Sequence, residues 1–212
     1  MKRVNSGIQN LDRLLGGGIP QRHIALIEGV PGAGKSNLGL EFLYRGAQKG
    51  ENGVYVSFQD TAEEVMRATT FDWEFEKHVE QGSIRIFEMD PYRHDEAASA
   101  IRGELQEIDA KRAVIDPITA MDLYIDSRKD MRKNLIDMET MLKDLGVTTL
   151  LVAEATEATE VEEEVADTII SMEMEREEDQ MQRKISVRKV RGSGFEESLH
   201  PYEFTSKGLK VL

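Results

Sequence analysis

The sequence contains no cysteine among its 212 residues, and this absence removes several classes of function. Disulfide bonds, zinc sites built from thiolates and cysteine nucleophiles are all excluded. The four histidines, at positions 23, 78, 94 and 200, never lie three or four residues apart, which is the spacing that places two side chains on one helix face. A metal centre built on histidine is therefore not expected.

Long hydrophobic runs are also lacking. No apolar stretch approaches the ~20 residues that span a bilayer. The first residues, MKRVNSGIQNLD, contain no apolar segment of the kind found in secretory signals. We therefore expect a cytoplasmic protein that does not enter a membrane.

Basic residues are scarce relative to acidic ones. The chain has 27 lysines and arginines against 40 aspartates and glutamates, which gives a formal net charge of −13. An acidic surface repels a phosphate backbone at long range, so nucleic acid is not an expected partner. Apolar residues make up 40% of the sequence, which is enough to build a buried core.

Short apolar segments alternate with segments of helical periodicity. This alternation predicts an α/β fold with a mostly parallel sheet flanked by helices, in one domain over residues 1–212. Two successive late strands predict an antiparallel extension, with the charged segment 175–183 as a solvated turn between them. The predicted strands are 24–28, 53–58, 83–88, 112–116, 147–154, 168–174 and 184–190, and the predicted helices are 35–50, 61–71, 95–110 and 128–145.

The segment GVPGAGKS, residues 29–36, matches the phosphate-binding pattern G-x-x-x-x-G-K-[ST]. Glycines let such a loop curl so that its N–H groups converge on phosphate, and the following helix directs its positive end at the same anion. Lys35 is expected to neutralise the β- and γ-phosphates, and Ser36 to offer its hydroxyl to Mg²⁺. The predicted nucleotide-binding residues are Gly29, Val30, Pro31, Gly32, Ala33, Gly34, Lys35, Ser36 and Asn37.

A phosphate loop needs a carboxylate from a neighbouring strand to hold Mg²⁺ or its water shell. Asp116 ends the apolar segment RAVID and has the expected position, so Ser36 and Asp116 are the predicted metal ligands. Hydrolysis also needs a group that orients or deprotonates the attacking water. Gln59 and Asp60 close the second strand and Glu154 closes the fifth, and the residues alone do not choose among them.

Several segments, taken in order, resemble the KaiC-like ATPases of the RecA superfamily. The resemblance runs nearly from end to end of the chain and is more specific than the phosphate loop alone. Its segments are SGIQNLDRLLGGGIP, GVPGAGKS, VYVSFQDTAEEV, FDWEFEKHVEQGSIRIFEMDP, VEEEVAD and KVRGSGFEESLHPYEFTSKGLKV.

The resemblance implies a RecA-like core that binds ATP and Mg²⁺, with a C-terminal antiparallel hairpin. It also implies a homo-oligomeric ring, commonly a hexamer, with ATP held between neighbouring subunits. Lys189 and Arg191, the K-x-R pair of KVRG, would then reach the γ-phosphate of the adjacent subunit, and they complete the set of expected catalytic residues with Lys35, Gln59, Asp60 and Asp116. An unknown protein partner is a further expectation.

Two departures from the family pattern matter. The usual paired glutamates appear as Gln59 and Asp60, and an amide can orient a water but cannot take its proton. We therefore expect hydrolysis to be slow or lost while ATP binding survives. Arg22 replaces the glycine that usually follows IPx, which puts the local turn in question.

Four functions stay open. The favoured one is a slow, ring-forming ATPase that acts as a nucleotide-dependent switch, and its main rival is a scaffold that binds ATP without hydrolysing it. A recombinase-type DNA-binding paralogue is disfavoured, because EATEATEVEEEVAD after the fifth strand places six glutamates between positions 154 and 164 and no basic residue. Autophosphorylation is the fourth, and it is disfavoured because the chain has a single copy of the domain.

Overall fold

The computed structural model describes residues 1–69, 71–155, 160–177 and 180–212. Its strands are β1 (Arg3–Val4), β2 (Ile19–Pro20), β3 (Ile24–Gly29), β4 (Gly53–Ser57), β5 (Ile84–Glu88), β6 (Arg112–Asp116), β7 (Thr148–Glu154), β8 (Thr168–Glu177), β9 (Gln180–Val190), β10 (His200–Thr205) and β11 (Gly208–Val211). Its α-helices are α1 (Leu11–Leu14), α2 (Lys35–Ala47), α3 (Ala62–Arg67), α4 (Phe75–Glu80), α5 (Ala97–Glu107), α6 (Arg128–Leu145) and α7 (Glu160–Val165). Within those ranges, no helix has the length and hydropathy to cross a membrane.

A nine-stranded sheet organises the described part of the chain, in the order β11-β10-β9-β8-β3-β7-β6-β4-β5. The strands from β8 to β5 in this order run parallel, while β9, β10 and β11 each pair antiparallel with the strand before. This is the predicted α/β architecture with its antiparallel extension. Because parallel strands end at a common edge, the segments that follow β3, β4, β6 and β7 lie close together.

Helices cover both faces of this sheet, and each face has its own apolar core. The first core contains α2 side chains such as Leu38 and Phe42, and the second contains Ile101 of α5 and Leu135 of α6. Every residue of β3 and of β6 is buried, as expected for parallel strands with helices on both sides. These two buried strands hold the phosphate loop and Asp116 in fixed positions.

Local sequence signals fix several helix ends as predicted. The N–H of Glu64 donates to Thr61 Oγ1 at 3.3 Å, and the N–H of Thr61 donates to Glu64 Oε2 at 2.8 Å, which forms the predicted capping box of α3. Helix α6 begins after Ser127, whose side chain accepts from the N–H of Asp130, and it ends at Gly146, which has a φ of 74°. Both ends of α6 match the predicted bounds.

The charged segment predicted as a solvated turn is mostly strand, so that prediction was wrong. Residues 175–177 belong to β8 and residues 180–183 to β9, while positions 178 and 179 lie outside the described residues. Lys184 of β9 faces Glu173 of β8, and its Nζ lies 2.6 Å from Glu175 Oε2 on the same strand. Cross-strand pairing of this kind lets a polar sequence extend a ladder beyond its apolar part.

Other element bounds also differ from prediction. Helix α3 ends at Arg67 and a separate helix, α4, follows, whereas one helix through Phe71 was predicted. Helix α2 ends at Ala47, three residues before the predicted stop. The predicted helix 95–110 is a 3-10 helix at Pro91–Glu96 followed by α5, and the first 23 residues, predicted as a lead-in of turns, contain β1, α1 and β2.

The turn at Arg22 forms although the family usually has a glycine at this position. Arg22 adopts a φ of 69°, the left-handed conformation that glycine takes most readily. Its N–H donates to Thr148 Oγ1 at 2.9 Å, and its guanidinium Nε donates to the carbonyl of Lys143 at 3.1 Å. These contacts hold an arginine where the family usually has a glycine.

Candidate nucleotide-binding site

The loop from Gly29 to Ser36 joins β3 to α2 at the carboxyl edge of the sheet. Gly32 and Gly34 have φ values of 81° and 92°, which side-chain-bearing residues rarely adopt. A Cβ on Gly34 would lie 2.1 Å from the Cζ of Phe204, and one on Gly29 would lie 2.1 Å from the carbonyl oxygen of Met172. The loop is therefore pressed against β8 and β10, and glycine is required at both contact points.

Lys35 is the first residue of α2 and lies over the loop that precedes it. Its Nζ donates to the carbonyl oxygens of Gly29 at 2.9 Å and Val30 at 3.1 Å. Burial lowers the pKa of Lys35, and the negative charges of Glu154 and Asp116 oppose that shift. The ammonium group is thus hydrogen-bonded to loop carbonyl oxygens, with two carboxylates nearby. An anion bound in the loop would contact it.

Asp116 ends β6 and is only 7% exposed. Burial raises the pKa of this carboxyl, while hydrogen bonds from the Ser36 and Tyr55 hydroxyls lower it. The contact with Tyr55 is a close one between its Oη and Asp116 Oδ2. The structure therefore brings together the two predicted metal ligands, Ser36 and Asp116, and adds a tyrosine that the sequence did not single out.

Gln59 and Asp60 follow β4 on an exposed turn. The N–H of Asp60 donates to Ser57 Oγ at 2.9 Å, and the same hydroxyl donates to the carbonyl oxygen of Asp60 at 2.6 Å. The negative charge of Asp60 contributes to raising the pKa of Asp116, so Asp60 lies near the metal-ligand pair. Ser57 fixes the backbone of this turn, and sequence reasoning had given it no role.

Glu154 ends β7 opposite Gly29 in the parallel register, and it is exposed. It lines a cavity of about 660 Å³ that Gln59 also lines. Gln59, Asp60 and Glu154, the three candidates for positioning water, therefore all lie at the carboxyl edge beside the phosphate loop.

Lys189 and Arg191 lie at the opposite edge. Lys189 Nζ donates to the carbonyl of Glu163 at 2.9 Å, and Arg191 Nη1 lies 3.1 Å from Asp167 Oδ1. Strand β9 runs antiparallel to β8, so its end meets the start of β3, where Asp167 Oδ2 accepts from the N–H of Ile24 at 3.2 Å. The length of β3, about 16 Å at ~3.3 Å per residue, separates this pair from the chain's own phosphate loop.

Two aromatic residues of β10 pack against the phosphate loop. Tyr202 donates its hydroxyl to the carbonyl oxygen of Ala33 in a close contact, and the Phe204 ring faces Gly34. No local sequence motif predicts these contacts, because the two residues lie about 170 residues from the loop in sequence. The antiparallel strands after β8 bring them to the site.

The parallel sheet, the glycine loop at its carboxyl edge and the buried aspartate on a neighbouring strand together define a P-loop NTPase with a RecA-like core. The model of the family described as "ATPase: KaiC" matches residues 4–212. The chain belongs to the KaiC ATPase family.

Individual relatives cover the chain from end to end. A UPF0273 protein of Methanopyrus kandleri is 30% identical over 234 residues, covering 100% of this chain and 92% of its own length. The circadian clock oscillator protein KaiC of Parathermosynechococcus lividus is 27% identical over 228 residues, covering 99% of this chain and 42% of its own length. A crystal structure of a KaiC-like protein of Pyrococcus horikoshii superposes with a TM-score of 0.91 at 31% identity, covering 100% of this chain and 99% of that one.

Proposed function

We propose that residues 1–212 act as one domain that binds ATP with Mg²⁺ in the loop Gly29–Ser36 and at Asn37. The observation that carries this proposal is the loop itself, which has glycine where β8 and β10 leave no room for a side chain. The N–H groups of the loop, together with the start of α2, provide a concave site for phosphate. When the nucleotide binds, the Lys35 ammonium group would leave the loop carbonyl oxygens and bind phosphate oxygens instead.

The arrangement of Ser36 and Asp116 fits Mg²⁺. Their side chains are hydrogen-bonded to each other, so their oxygens lie about as far apart as neighbouring ligands in an octahedral Mg²⁺ shell. One hydroxyl and one carboxylate, with phosphate oxygens and water, are a ligand set that Mg²⁺ commonly takes in nucleotide sites. The hydroxyl of Tyr55 would keep the Asp116 carboxylate oriented.

Hydrolysis is proposed to be slow. Gln59 occupies the position of the expected base, and its amide can orient water without accepting a proton. Asp60 and Glu154 are the carboxylates that could accept it. Of the two, Glu154 lines the same cavity as Gln59 and has the longer side chain.

Assembly into a ring, with ATP between subunits, is proposed from the resemblance to KaiC-like ATPases and from the distance between the two edges of the sheet. Lys189 and Arg191 lie at the edge away from the chain's own phosphate loop, so they could reach only the nucleotide of a neighbouring chain. Such a basic group supplied in trans stabilises the charge that develops on a transferred phosphoryl group. A hexamer is the commonest ring for this family and is the proposed state.

A scaffold that binds ATP without hydrolysing it is the second candidate function, and Gln59 is the observation that favours it. ATP bound between subunits would stabilise the assembly by mass action even without turnover. In both functions the nucleotide completes an interface between chains.

Steady-state ATP turnover with Mg²⁺, together with size-exclusion chromatography with and without ATP, tests these proposals. Turnover that disappears in the Lys35→Ala variant, with an ATP-dependent ring, supports the slow ATPase. ATP-dependent assembly without turnover makes the protein a scaffold. A protein that neither binds ATP nor assembles with it contradicts both.

A further inference from the structure

An exposed apolar patch lies at the carboxyl edge of the sheet. Leu123 is 82% exposed, Tyr92 is 72% exposed and Tyr124 is 44% exposed, and these three residues are called the apolar patch below. The two tyrosine rings meet edge to face with their centroids 5.9 Å apart. Exposed apolar side chains that are contiguous on a surface are typical of places where another molecule binds.

The apolar patch adjoins the cavity of about 660 Å³ described above, which Leu123 and Tyr124 help to line. Phe58, Pro91 and Pro117 give this cavity further apolar walls. A concave site beside exposed aromatic residues can take an inserted aliphatic side chain, which is the usual anchor of a peptide interface.

The two segments that carry the apolar patch are acidic. Residues 116–127 contain three aspartates and no lysine or arginine. Residues 88–96 contain four acidic residues and one arginine, Arg93, which is paired with Glu96. A ligand with positive charge would meet complementary carboxylates here, because the arginine of these two segments is already paired.

Among the residues that the structure describes, no cation compensates two carboxyl groups near the apolar patch. Burial raises the pKa of Asp122, which lines the cavity. Both carboxyl oxygens of Glu162 are buried and have no hydrogen-bond partner within the described ranges. Burial raises the pKa of Glu162 to about 7, and the charge of Asp122 adds to the shift. A cationic side chain placed beside Asp122 would relieve this repulsion.

We propose that the apolar patch and its cavity bind a cationic, amphipathic segment of a partner protein. An aliphatic side chain of that segment enters the cavity against Leu123 and Tyr124, while its lysines or arginines lie beside Asp122 and Glu154. The acidic rim that attracts such a segment repels anionic lipid and nucleic acid. The proposal does not rest on ATP hydrolysis or on ring assembly. Because Gln59 and Glu154 line the same cavity, it is tested without nucleotide.

The test uses a fluorescein-labelled amphipathic helix made of leucine and lysine, with binding followed by fluorescence anisotropy. The wild-type protein should bind it about tenfold more tightly than a serine–lysine peptide of equal charge, because only the former fills the cavity. Leu123→Ser and Tyr92→Ser should each weaken binding of the leucine–lysine helix several-fold. Asp122→Asn should weaken it about threefold.

Ile136→Ser is the matched control, because Ile136 is an apolar α6 residue that is 41% exposed and lies outside the apolar patch. It should bind the leucine–lysine helix as the wild type does, and circular dichroism should show all variants folded. Equal binding by Leu123→Ser and wild type would overturn the proposal, as would equal binding of a leucine–glutamate helix. Loss of a nucleotide-free oligomer in Leu123→Ser would also overturn it, because a second copy would then be the occupant.

Discussion

The two edges of the parallel sheet differ in the charge that they can bind. The carboxyl edge holds the glycine loop, Lys35 and the buried Asp116, the groups that would bind an anion and a cation together in the proposed site. The opposite edge presents Lys189 and Arg191, which are held by acceptors of their own chain. In the proposed ring, one chain would therefore carry two complementary halves of a site, separated by the length of β3.

The partners of Asp167 explain how the opposite edge could serve another chain. Asp167 is 3% exposed and is held by the N–H of Ile24 and by Lys143 Nζ at 2.8 Å. The side chain of Arg191 is 54% exposed, and an ion pair with so exposed a partner contributes little to stability. In the proposed ring, Arg191 would therefore leave Asp167 for a phosphate while Lys143 still neutralises the carboxylate.

The largest expected effect comes from Arg191→Ala. Removing a basic group supplied in trans should lower ATP turnover about 10³-fold, because such a group stabilises charge that develops during phosphoryl transfer. Affinity for ATP at the carboxyl edge should change little. Initial-rate and nucleotide-binding measurements on the same preparation separate the two effects.

Lys133→Ala, which removes an exposed cation from α6, is the control for Arg191→Ala. It should leave turnover unchanged. An equal loss of turnover in both variants would mean that general surface charge, and not the K-x-R pair, matters.

Lys35→Ala should reduce affinity for ATP about 100-fold, since it removes a charge-assisted contact to phosphate in a partly buried site. Titration with a fluorescent ATP analogue measures the change. Lys49→Ala is the matched control, because Lys49 is an exposed lysine just beyond the end of α2. Unchanged affinity in Lys35→Ala would contradict the proposed phosphate site.

Gly34→Ala should weaken ATP binding about tenfold and destabilise the protein by ~2 kcal/mol, since its Cβ would overlap the Phe204 ring. The double variant Gly34→Ala/Phe204→Ala should recover part of the lost affinity. Gly50→Ala is the control, because Gly50 also has a positive φ, 76°, but a Cβ added there would meet nothing within 4 Å. Equal loss of ATP affinity in Gly34→Ala and Gly50→Ala would mean that the Phe204 contact does not shape the loop.

The smallest expected effect concerns Glu162. Its pKa is raised from 4.5 to about 7 in the folded protein, so between these values the folded state binds more protons than the unfolded state. Stability should therefore fall as pH rises from 5 to 8, by ~1–2 kcal/mol, because one pKa unit corresponds to ~1.4 kcal/mol and relaxation absorbs part of the shift.

Glu162→Gln should remove this part of the pH dependence, as measured by urea unfolding at pH 5 and pH 8. Glu164→Gln changes an exposed carboxylate of the same helix and is the control. If Glu162→Gln and wild type lost the same stability over this range, the pKa of Glu162 would not be raised in the folded protein.

The sequence predicted which residues lie together at the carboxyl edge, because its signals there are local. The pattern at 29–36, the apolar segment ending at Asp116 and the polar residues after β4 and β7 are each readable within a few positions. Parallel strands then place them together by topology alone.

Features that depend on distant contacts escaped prediction. Phe204 and Tyr202 reach the loop through β8, β9 and β10, and no short segment encodes that approach. The hydroxyl of Tyr55 reaches Asp116 from the neighbouring strand. The extension of β8 and β9 into charged sequence likewise rests on cross-strand pairs, which a pattern along one segment does not reveal.

A mixing experiment tests most directly whether the two edges complete one site between chains. Lys35→Ala chains lack the phosphate site and Arg191→Ala chains lack the basic group, so each should be nearly inactive alone. In an equal mixture, about a quarter of head-to-tail interfaces join an intact phosphate site to an intact Arg191. We expect ATP turnover to return to about that fraction of the wild-type rate, whereas a mixture no more active than its components would contradict a site shared between chains.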